Sequence, residues 1–211
     1  MEALLRDGLA SLRLELDGRQ VRQLLDFAAL LQKWGRVYNL TAIRSPEEVA
    51  THHLLDCLAI IGPLRDRGSP VPPAVLDVGS GAGLPGAVIA IACPQLRVDC
   101  VDAVAKKAAF VQQAAGALGL PNLRGLHGRV EQLTEPYPVV TSRAFASLAD
   151  FVRWSGSALA PGGTWLAMKG RYPTDEVAQL PVGVEVFHVE QLQVPGLGAE
   201  RCLLWMRRRT P

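Results

Sequence analysis

Residues 74–86 read Ala-Val-Leu-Asp-Val-Gly-Ser-Gly-Ala-Gly-Leu-Pro-Gly, an apolar run that ends around one carboxylate and is followed by glycines at 79, 81, 83 and 86. This order predicts a strand, a tight turn and the start of a helix. Glycines in such a turn let the backbone adopt positive φ and approach a ligand more closely than any Cβ would permit. The chemistry on offer is the cradling of a nucleoside-type cofactor. Gly81-Ala-Gly83-Leu-Pro-Gly86 also satisfies the dinucleotide pattern GxGxxG, so a nicotinamide or flavin enzyme stays open at this point.

Asp77 separates the two readings. A pyrophosphate is held by backbone N–H groups and a helix N-terminus, and a carboxylate at the mouth of the turn would repel it. S-adenosylmethionine (SAM) has no phosphate and carries a sulfonium and an ammonium, which an acid two positions before the first glycine suits. The pattern Asp-x-Gly-x-Gly-x-Gly, with Asp77, Gly79, Gly81 and Gly83, therefore resembles the turn of SAM methyltransferases. Farther on, Arg97-Val-Asp-Cys-Val-Asp102 supplies a carboxylate at the next strand end, where Asp102 can accept both ribose hydroxyls. Dinucleotide enzymes use the same carboxylate, so it supports a nucleoside without choosing between them.

The elements that must position these residues alternate. Strands are expected at 74–78, 97–102, 123–127, 138–142, 164–168, 184–190 and 202–207, with helical or turn segments around 85–93, 104–118, 130–134, 145–160 and 173–180. The rhythm implies a doubly wound, mostly parallel α/β sheet. The connection from Gln193 to Arg201 is too short for a parallel crossover, so the last two strands should pair antiparallel. The fold class expected is a Rossmann-like class I SAM methyltransferase: a seven-stranded sheet with an antiparallel last strand and an N-terminal helical extension. Ligands of such sheets sit beyond the carboxyl ends of the strands, where Gly79–Gly83, Asp102, Gly128–Glu131 and Ser142–Arg143 fall.

The extension is residues 1–62 and the core residues 74–211, with Arg65-Asp-Arg-Gly-Ser-Pro-Val-Pro-Pro73 read as a linker. Within the extension Asp17 can cap a helix that aligns Val21, Leu24, Leu25, Ala28, Leu31 and Trp34 on one face. Ser45-Pro-Glu-Glu48 is a capping box with proline at the first helical position. His53 and Asp56, one turn apart, are expected to form a hydrogen-bonded pair within these helices.

Composition narrows the class. At 211 residues the chain is one domain, or one domain with a small extension. No apolar stretch is long enough for a bilayer and the N-terminus lacks the pattern of a signal peptide, so a cytoplasmic protein without a membrane partner is expected. Cysteines 57, 93, 100 and 202 show no CxxC pair, and histidines 52, 53, 127 and 188 no ligand spacing; reduced thiols and no metal site are expected. Net charge is only +2, yet basic residues cluster at Arg19/Arg22, Lys33/Arg36, Lys106-Lys107, Arg124/Arg129, Lys169/Arg171 and Arg207-Arg208-Arg209. Each cluster suits a solvated face, but together around a nucleoside pocket they favour a nucleic-acid substrate, with Lys106, Lys107, Arg129, Lys169 and Arg171 as candidate RNA contacts.

Missing motifs bear on the methyl acceptor. There is no Pro-Pro-Tyr segment after the fourth strand to hold an exocyclic amine; Val139-Val-Thr-Ser-Arg-Ala-Phe145 stands there instead. None of the cysteines is placed to attack a pyrimidine ring. An acceptor with its own free lone pair, such as purine N7, needs neither device, although a protein or small-molecule acceptor meets the same test.

Several segments carry a family resemblance: Tyr38-Asn-Leu-Thr-Ala-Ile-Arg44, His53-Leu-Leu-Asp-Cys-Leu58, the cradle Asp77–Gly86, Val101-Asp-Ala-Val-Ala-Lys-Lys-Ala-Ala-Phe110, Gly128-Arg-Val-Glu131, Thr141-Ser-Arg-Ala-Phe145 and Met168-Lys-Gly170. In this order, over roughly residues 20–207, they resemble the bacterial RsmG (GidB) family of 16S rRNA guanine-N7 methyltransferases. The resemblance implies SAM as cofactor, S-adenosylhomocysteine as product, and 16S rRNA as partner, naked or within the small subunit, methylated at guanine 527. It implies that Gly79 and Leu84 line the cofactor pocket, that Val130 and Glu131 lie beside the adenine, and that Asp102, Ala103 and Val104 hold the ribose. Arg143 then stands at the boundary of cofactor and acceptor, orienting the guanine or the methionine carboxylate. The chain departs from the family pattern with Pro138 before the fourth strand, Ala103 where serine is common and Leu84 where an aromatic is common. The alternatives are a methyltransferase for another RNA or a small molecule, and a SAM-binding ribosome-assembly factor without catalysis.

Overall fold

In the computed structural model, residues 1–38, 45–67 and 73–209 are described. The N-terminal part is helical: α1 (Glu2–Ser11), α2 (Gly18–Tyr38), α3 (Pro46–Val49), a π-helical stretch Ala50–Leu55, α4 (Asp56–Leu58) and α5 (Ile61–Arg67). The remainder alternates as β1 (Ala74–Val78), α6 (Gly86–Ala92), β2 (Arg97–Asp102), α7 (Ala105–Leu118), β3 (Leu123–His127), a 3-10 turn Val130–Gln132, β4 (Tyr137–Arg143), α8 (Leu148–Trp154), a second 3-10 turn Gly156–Ala158, β5 (Leu159–Lys169), α9 (Thr174–Ala178), β6 (Val184–Leu192) and β7 (Arg201–Arg208).

The strands form one sheet in the order β3-β2-β1-β4-β5-β7-β6. The first five strands are parallel, and β7 inserts antiparallel between β5 and β6, as the short final connection requires. All five residues of β1 are buried, the signature of a central strand covered on both faces. Register brings Asp77 level with Cys100 and Thr141, and Asp102 level with His127, so the carboxyl ends of four strands meet at one edge.

Each face carries its own apolar layer. Val75, Val98 and Cys100 pack with α2, α6, α7 and the other N-terminal helices, whereas Leu76, Val78 and Val101 pack with α8 and Trp165. Helix α2 turns Val21, Leu24, Ala28 and Leu31 inward as its periodicity predicts, and Trp34 meets the Phe110 ring edge-on at 5.3 Å. Asp17 and Gln20 form a reciprocal capping box, each side chain accepting the other's backbone N–H at 2.8 and 2.9 Å. Ser45 accepts from the Glu48 N–H at 3.1 Å.

The N-terminal helices also satisfy polar ends of the core. Gln20 donates to the carbonyls of Ile91 and Ala92, and Arg65 to Ala92, at the C-terminus of α6; Gln23 donates to Leu118 O at the end of α7. Carbonyls that have no partner within their own helix are thus completed by another segment. A buried ion pair joins the same two parts. Asp56 accepts from Arg143 on β4 at 3.0 Å and from Arg201 on β7 at 2.9 Å, with its side chain only 3% exposed.

Three expectations change. Helix α5 continues through Arg67, so the start of the supposed linker is helical; residues 68–72 lie outside the described residues, as do 39–44 of the Tyr-Asn-Leu-Thr segment. In the helical or turn segment expected around 145–160, Glu176 and Ser147 accept the first N–H groups of a helix Leu148–Trp154 that Ser155 ends, but β5 begins at Leu159, five residues before the strand expected at 164–168. Asp56, expected to pair with His53, instead gives both carboxylate oxygens to arginines from the sheet. Replacing Asp56 by alanine leaves two partly buried guanidinium groups short of their counter-ion and should destabilise the fold by about 3 kcal/mol, read as a lower urea midpoint with an unchanged slope.

Candidate cofactor cleft

The link from β1 to α6 is fixed by groups on β2. The N–H groups of Gly79 and Ser80 donate to Val101 O, and the N–H of Gly81 donates to Asp102 Oδ2 at 3.0 Å. The other oxygen of Asp102 accepts the Val104 N–H at 2.8 Å, which caps the start of α7. The turn needs its glycines: Gly79, Gly81 and Gly83 have φ of 64°, 58° and 76°. At Gly79 there is also no room, since a Cβ would collide with the Phe145 ring.

Beside this turn lies a cleft of about 200 Å³ walled by Gly79, Asp102, Ala103, Val130, Glu131 and Phe145, with Val78, Val101, Gly128, Arg129 and Trp154 completing it. Phe145 stands edge-on to Trp154 at 5.7 Å and to Phe151 at 6.2 Å, which makes one wall rigid and apolar. The donor set fits an adenosine moiety. Asp102 keeps lone pairs beyond those its backbone bonds occupy and so can accept from a ribose diol, while the aromatic and aliphatic wall suits a purine face. The cleft's described lining holds two carboxylates, Asp102 and Glu131, and one exposed cation, Arg129. That balance suits a cationic sulfonium better than a pyrophosphate.

The structure separates the expected cofactor residues into two groups. Gly79, Asp102, Ala103, Val130 and Glu131 line the cleft, and Gly81 and Val104 build it through their backbone bonds to Asp102. Gly83 and Leu84 lie behind it: Gly83 abuts Val111, and Leu84 is 5% exposed in the apolar layer shared with α6 and α7.

Asp77 is not at the mouth of the turn. Its side chain follows Val75 to the α6 face by strand alternation and is fully buried, with Oδ2 accepting the Gly86 N–H at 2.8 Å and Oδ1 without a hydrogen-bond partner. Gly86 is required at that contact, because a Cβ there would meet Cys100 Sγ and the Asp77 carboxyl. Burial pushes the Asp77 carboxyl up to about 7, against the lowering effects of the Gly86 N–H and Arg143.

Arg143 likewise turns away from the cleft. It donates to His52 O at 2.9 Å and to Asp56, and its NH2 lies 3.5 Å from His53 Nδ1. Burial, with the nearby Arg143 charge, lowers His53 to about 4, so its ring is neutral near pH 7. All four cysteines are buried free thiols, and burial raises Cys57 to about 12, which leaves no activated sulfur nucleophile.

Among the candidate RNA contacts, Lys169 is held by both oxygens of Glu176 at 2.9 and 2.8 Å, and Lys107 Nζ lies 3.7 Å from Asp102. Lys106, Arg129 and Arg171 are exposed. Phe145 and Trp154 are the aromatic cleft residues that sequence reasoning did not single out as ligands. Phe145 stood in the quoted Ser-Arg-Ala-Phe segment; Trp154 fell, unnamed, in the helical or turn segment around 145–160.

Comparison with known proteins gives a consistent result. The family model described as GidB, rRNA small subunit methyltransferase G, matches residues 20–204. A ribosomal RNA small subunit methyltransferase G of Polaromonas sp. (strain JS666 / ATCC BAA-500) is 63% identical, over 96% of this chain and 92% of its own. One from Acidovorax sp. (strain JS42) is 61% identical, over 98% and 95%. Among solved structures, the N-methyltransferase NodS of Bradyrhizobium japonicum WM9 with S-adenosyl-L-homocysteine superposes with a TM-score of 0.59 at 15% identity, over 86% of this chain and 99% of NodS. TrmN of Thermus thermophilus gives 0.56 at 17% identity, over 76% and 53%. At these identities the likeness is one of fold, that of class I SAM methyltransferases.

Asp77 and His53 titrate with opposite consequences. Asp77 binds its proton more tightly folded than unfolded, so it costs stability progressively as pH rises from about 4 to about 7. His53 is held neutral when folded, so its contribution is present above about 6.5 and lost as pH falls toward about 4. Asp77→Asn keeps an oxygen for the Gly86 N–H and removes one slope only. The stability of this variant relative to the unmodified protein should therefore increase between pH 4 and 7, measured by urea unfolding at each pH; a constant difference would contradict the assignment.

Proposed function

Because this chain belongs to the rRNA small subunit methyltransferase G (GidB) family, we propose that it methylates N7 of guanine 527 in 16S rRNA, with the cleft beside Asp102 as its SAM site. The observation that carries this reading is the family match over residues 20–204, together with a carboxylate and an apolar aromatic wall facing the same cleft. In this reading Asp102 accepts the ribose hydroxyls, Val130 and Glu131 flank the adenine, and the Gly79–Gly83 turn lies against the amino-acid end. Residues 1–62 form a helical extension on the catalytic unit of residues 74–211. Among the described residues no helix is long and apolar enough to cross a membrane.

SAM, when bound, supplies a methyl group activated on a sulfonium. The chain's own contribution is to place guanine N7, whose lone pair is already free, in line with that methyl and to exclude water. No general base is required for this step; His53 is buried and neutral, and Cys57 and Cys100 are buried thiols. Positive charge passes from sulfur to the guanine ring during transfer. Asp102 and Glu131 provide a negative field over both, while Asp77, pushed up to about 7 by burial, supplies less of it. The Phe145–Trp154 wall keeps that field in a low-dielectric setting.

Two measurements test this. Labelled methyl from SAM, offered to small subunits and to deproteinised 16S rRNA lacking the modification, should appear at one guanine, mapped by cleavage at 7-methylguanosine; the better acceptor of the two identifies the substrate form. Incorporation elsewhere in the RNA would replace the acceptor assignment, and SAM binding without incorporation would favour an assembly factor. Asp102→Ala removes the ribose acceptor and the anchor of the turn, and should weaken S-adenosylhomocysteine binding in calorimetry by at least about tenfold, the equivalent of one charge-assisted hydrogen bond of ~1.5–3 kcal/mol.

A further inference from the structure

The sheet edge opposite the cleft carries a cationic surface that the methyl-transfer site does not use. Strand β7 runs antiparallel to β5, pairing Trp165 with Met206, so Arg207, Arg208 and Arg209 continue beside the amino-terminal half of β5. With the backbone around Gly162 and Gly163 they enclose a recess of about 300 Å³ whose described lining includes no carboxylate. Gly163 is six residues from Lys169, which ends β5 at the carboxyl edge of the sheet, a separation of about 20 Å along an extended strand.

Two of the three arginines, although exposed, have their guanidinium groups oriented by contacts within the protein. Arg207 donates to Glu185 at 2.7 Å and lies 4.8 Å over the Phe187 ring. Arg208 donates to Gly156 O at 2.7 Å and lies 5.9 Å from the Trp165 ring. Arg209 is fixed by its backbone, donating to Gly183 O at 2.9 Å, and its guanidinium has no ion-pair partner among the described residues. The three therefore carry net charge of about +2 after Glu185 is counted. Another arginine pair at this edge behaves differently: Arg97 and Arg124 share Asp99 and Glu135 and are neutralised in place. In the recess at the end of β7, Arg208 and Arg209 have no carboxylate partner among the described residues and the Arg207 and Arg208 guanidinium groups are positioned in advance, an arrangement that suits phosphate oxygens.

We propose that the Arg207–Arg209 recess is a second RNA contact, gripping backbone phosphates of the substrate on the edge of the sheet opposite the methyl-transfer cleft. The proposal rests on the rRNA methyltransferase reading above. Contacts on opposite edges mean that the RNA wraps the molecule, so a short hairpin carrying the acceptor guanine reaches the cleft without reaching the recess. Phosphate contacts carry affinity and salt dependence rather than sequence preference.

The test compares the unmodified protein, Arg207→Ser/Arg209→Ser and Arg207→Lys/Arg209→Lys in filter binding to deproteinised 16S rRNA and to a short acceptor hairpin across a salt series. The serine variant should bind 16S rRNA about tenfold more weakly at low salt, with the slope of log K against log salt shallower by about 1–2, as loss of roughly two phosphate contacts requires. The lysine variant should keep the slope, hairpin binding should be equal for all three proteins, and equal S-adenosylhomocysteine affinity verifies folding. Unchanged 16S binding and slope in the serine variant would overturn the proposal, as would an equal loss on the hairpin. A loss seen only on assembled subunits would also overturn it, since the partner would then be a ribosomal protein. Binding of 16S rRNA without methyl transfer by the unmodified protein would instead refute the function on which the proposal stands.

Discussion

The turn between β1 and α6 depends on two carboxylates that come from adjacent strands and act on its two ends. Asp102 holds the Gly81 N–H and Asp77 holds the Gly86 N–H, while Val101 O takes the amides of Gly79 and Ser80 at the start of the turn. Backbone donors in a tight, glycine-rich turn have no partners of their own, and burying them unpaired would cost on the order of 1–3 kcal/mol each. The parallel register of β1 and β2 supplies those partners because it sets Asp77 and Asp102 near the same edge. The cleft is the space left beside that pinned turn. Its shape therefore follows from sheet register before any ligand is considered.

The same economy governs how the N-terminal helices meet the sheet. Amide and guanidinium groups of Gln20, Gln23 and Arg65 complete the carbonyl ends of α6 and α7, and Asp56 joins β4 to β7 through Arg143 and Arg201. Core helices whose termini are finished by another segment cannot be separated from it without exposing or orphaning those groups. This places Arg143 in the scaffold. It also explains why an arginine at the carboxyl end of a central strand, a position where ligands are usual, is spent on a buried acid.

Charge is distributed with the chemistry. Methyl transfer to a nitrogen that already owns a lone pair makes no demand for a tuned acid or base, and the perturbed Asp77 and His53 lie under the turn and within the helix contact rather than in the cleft. Asp77, His53 and the cysteines are shifted by burial, which is what desolvation does to titratable groups used as packing. Exposed cations such as Lys106, Arg129 and Arg171 at one edge of the sheet and Arg207–Arg209 at the other, by contrast, lie where an extended polyanion can reach them.

Much of this was written in the sequence. Period and punctuation located β1, β2 and β3 at their observed limits, because a buried strand bounded by glycine, proline and caps leaves little freedom at its ends. The acidic strand end marked Asp102, and the short final connection required an antiparallel β7. Sequence could not tell which face Asp77 turns to, since a carboxylate before a glycine turn looks the same whether it meets ligand or caps a backbone N–H. Nor could it pair Asp56 with residues 87 and 145 positions away, or bring Phe145 and Trp154 to one wall. Local pattern fixes backbone geometry through nearest neighbours; partners for buried charges and the walls of a cleft are chosen only when distant segments pack, because desolvation and shape act on groups close in space rather than along the chain.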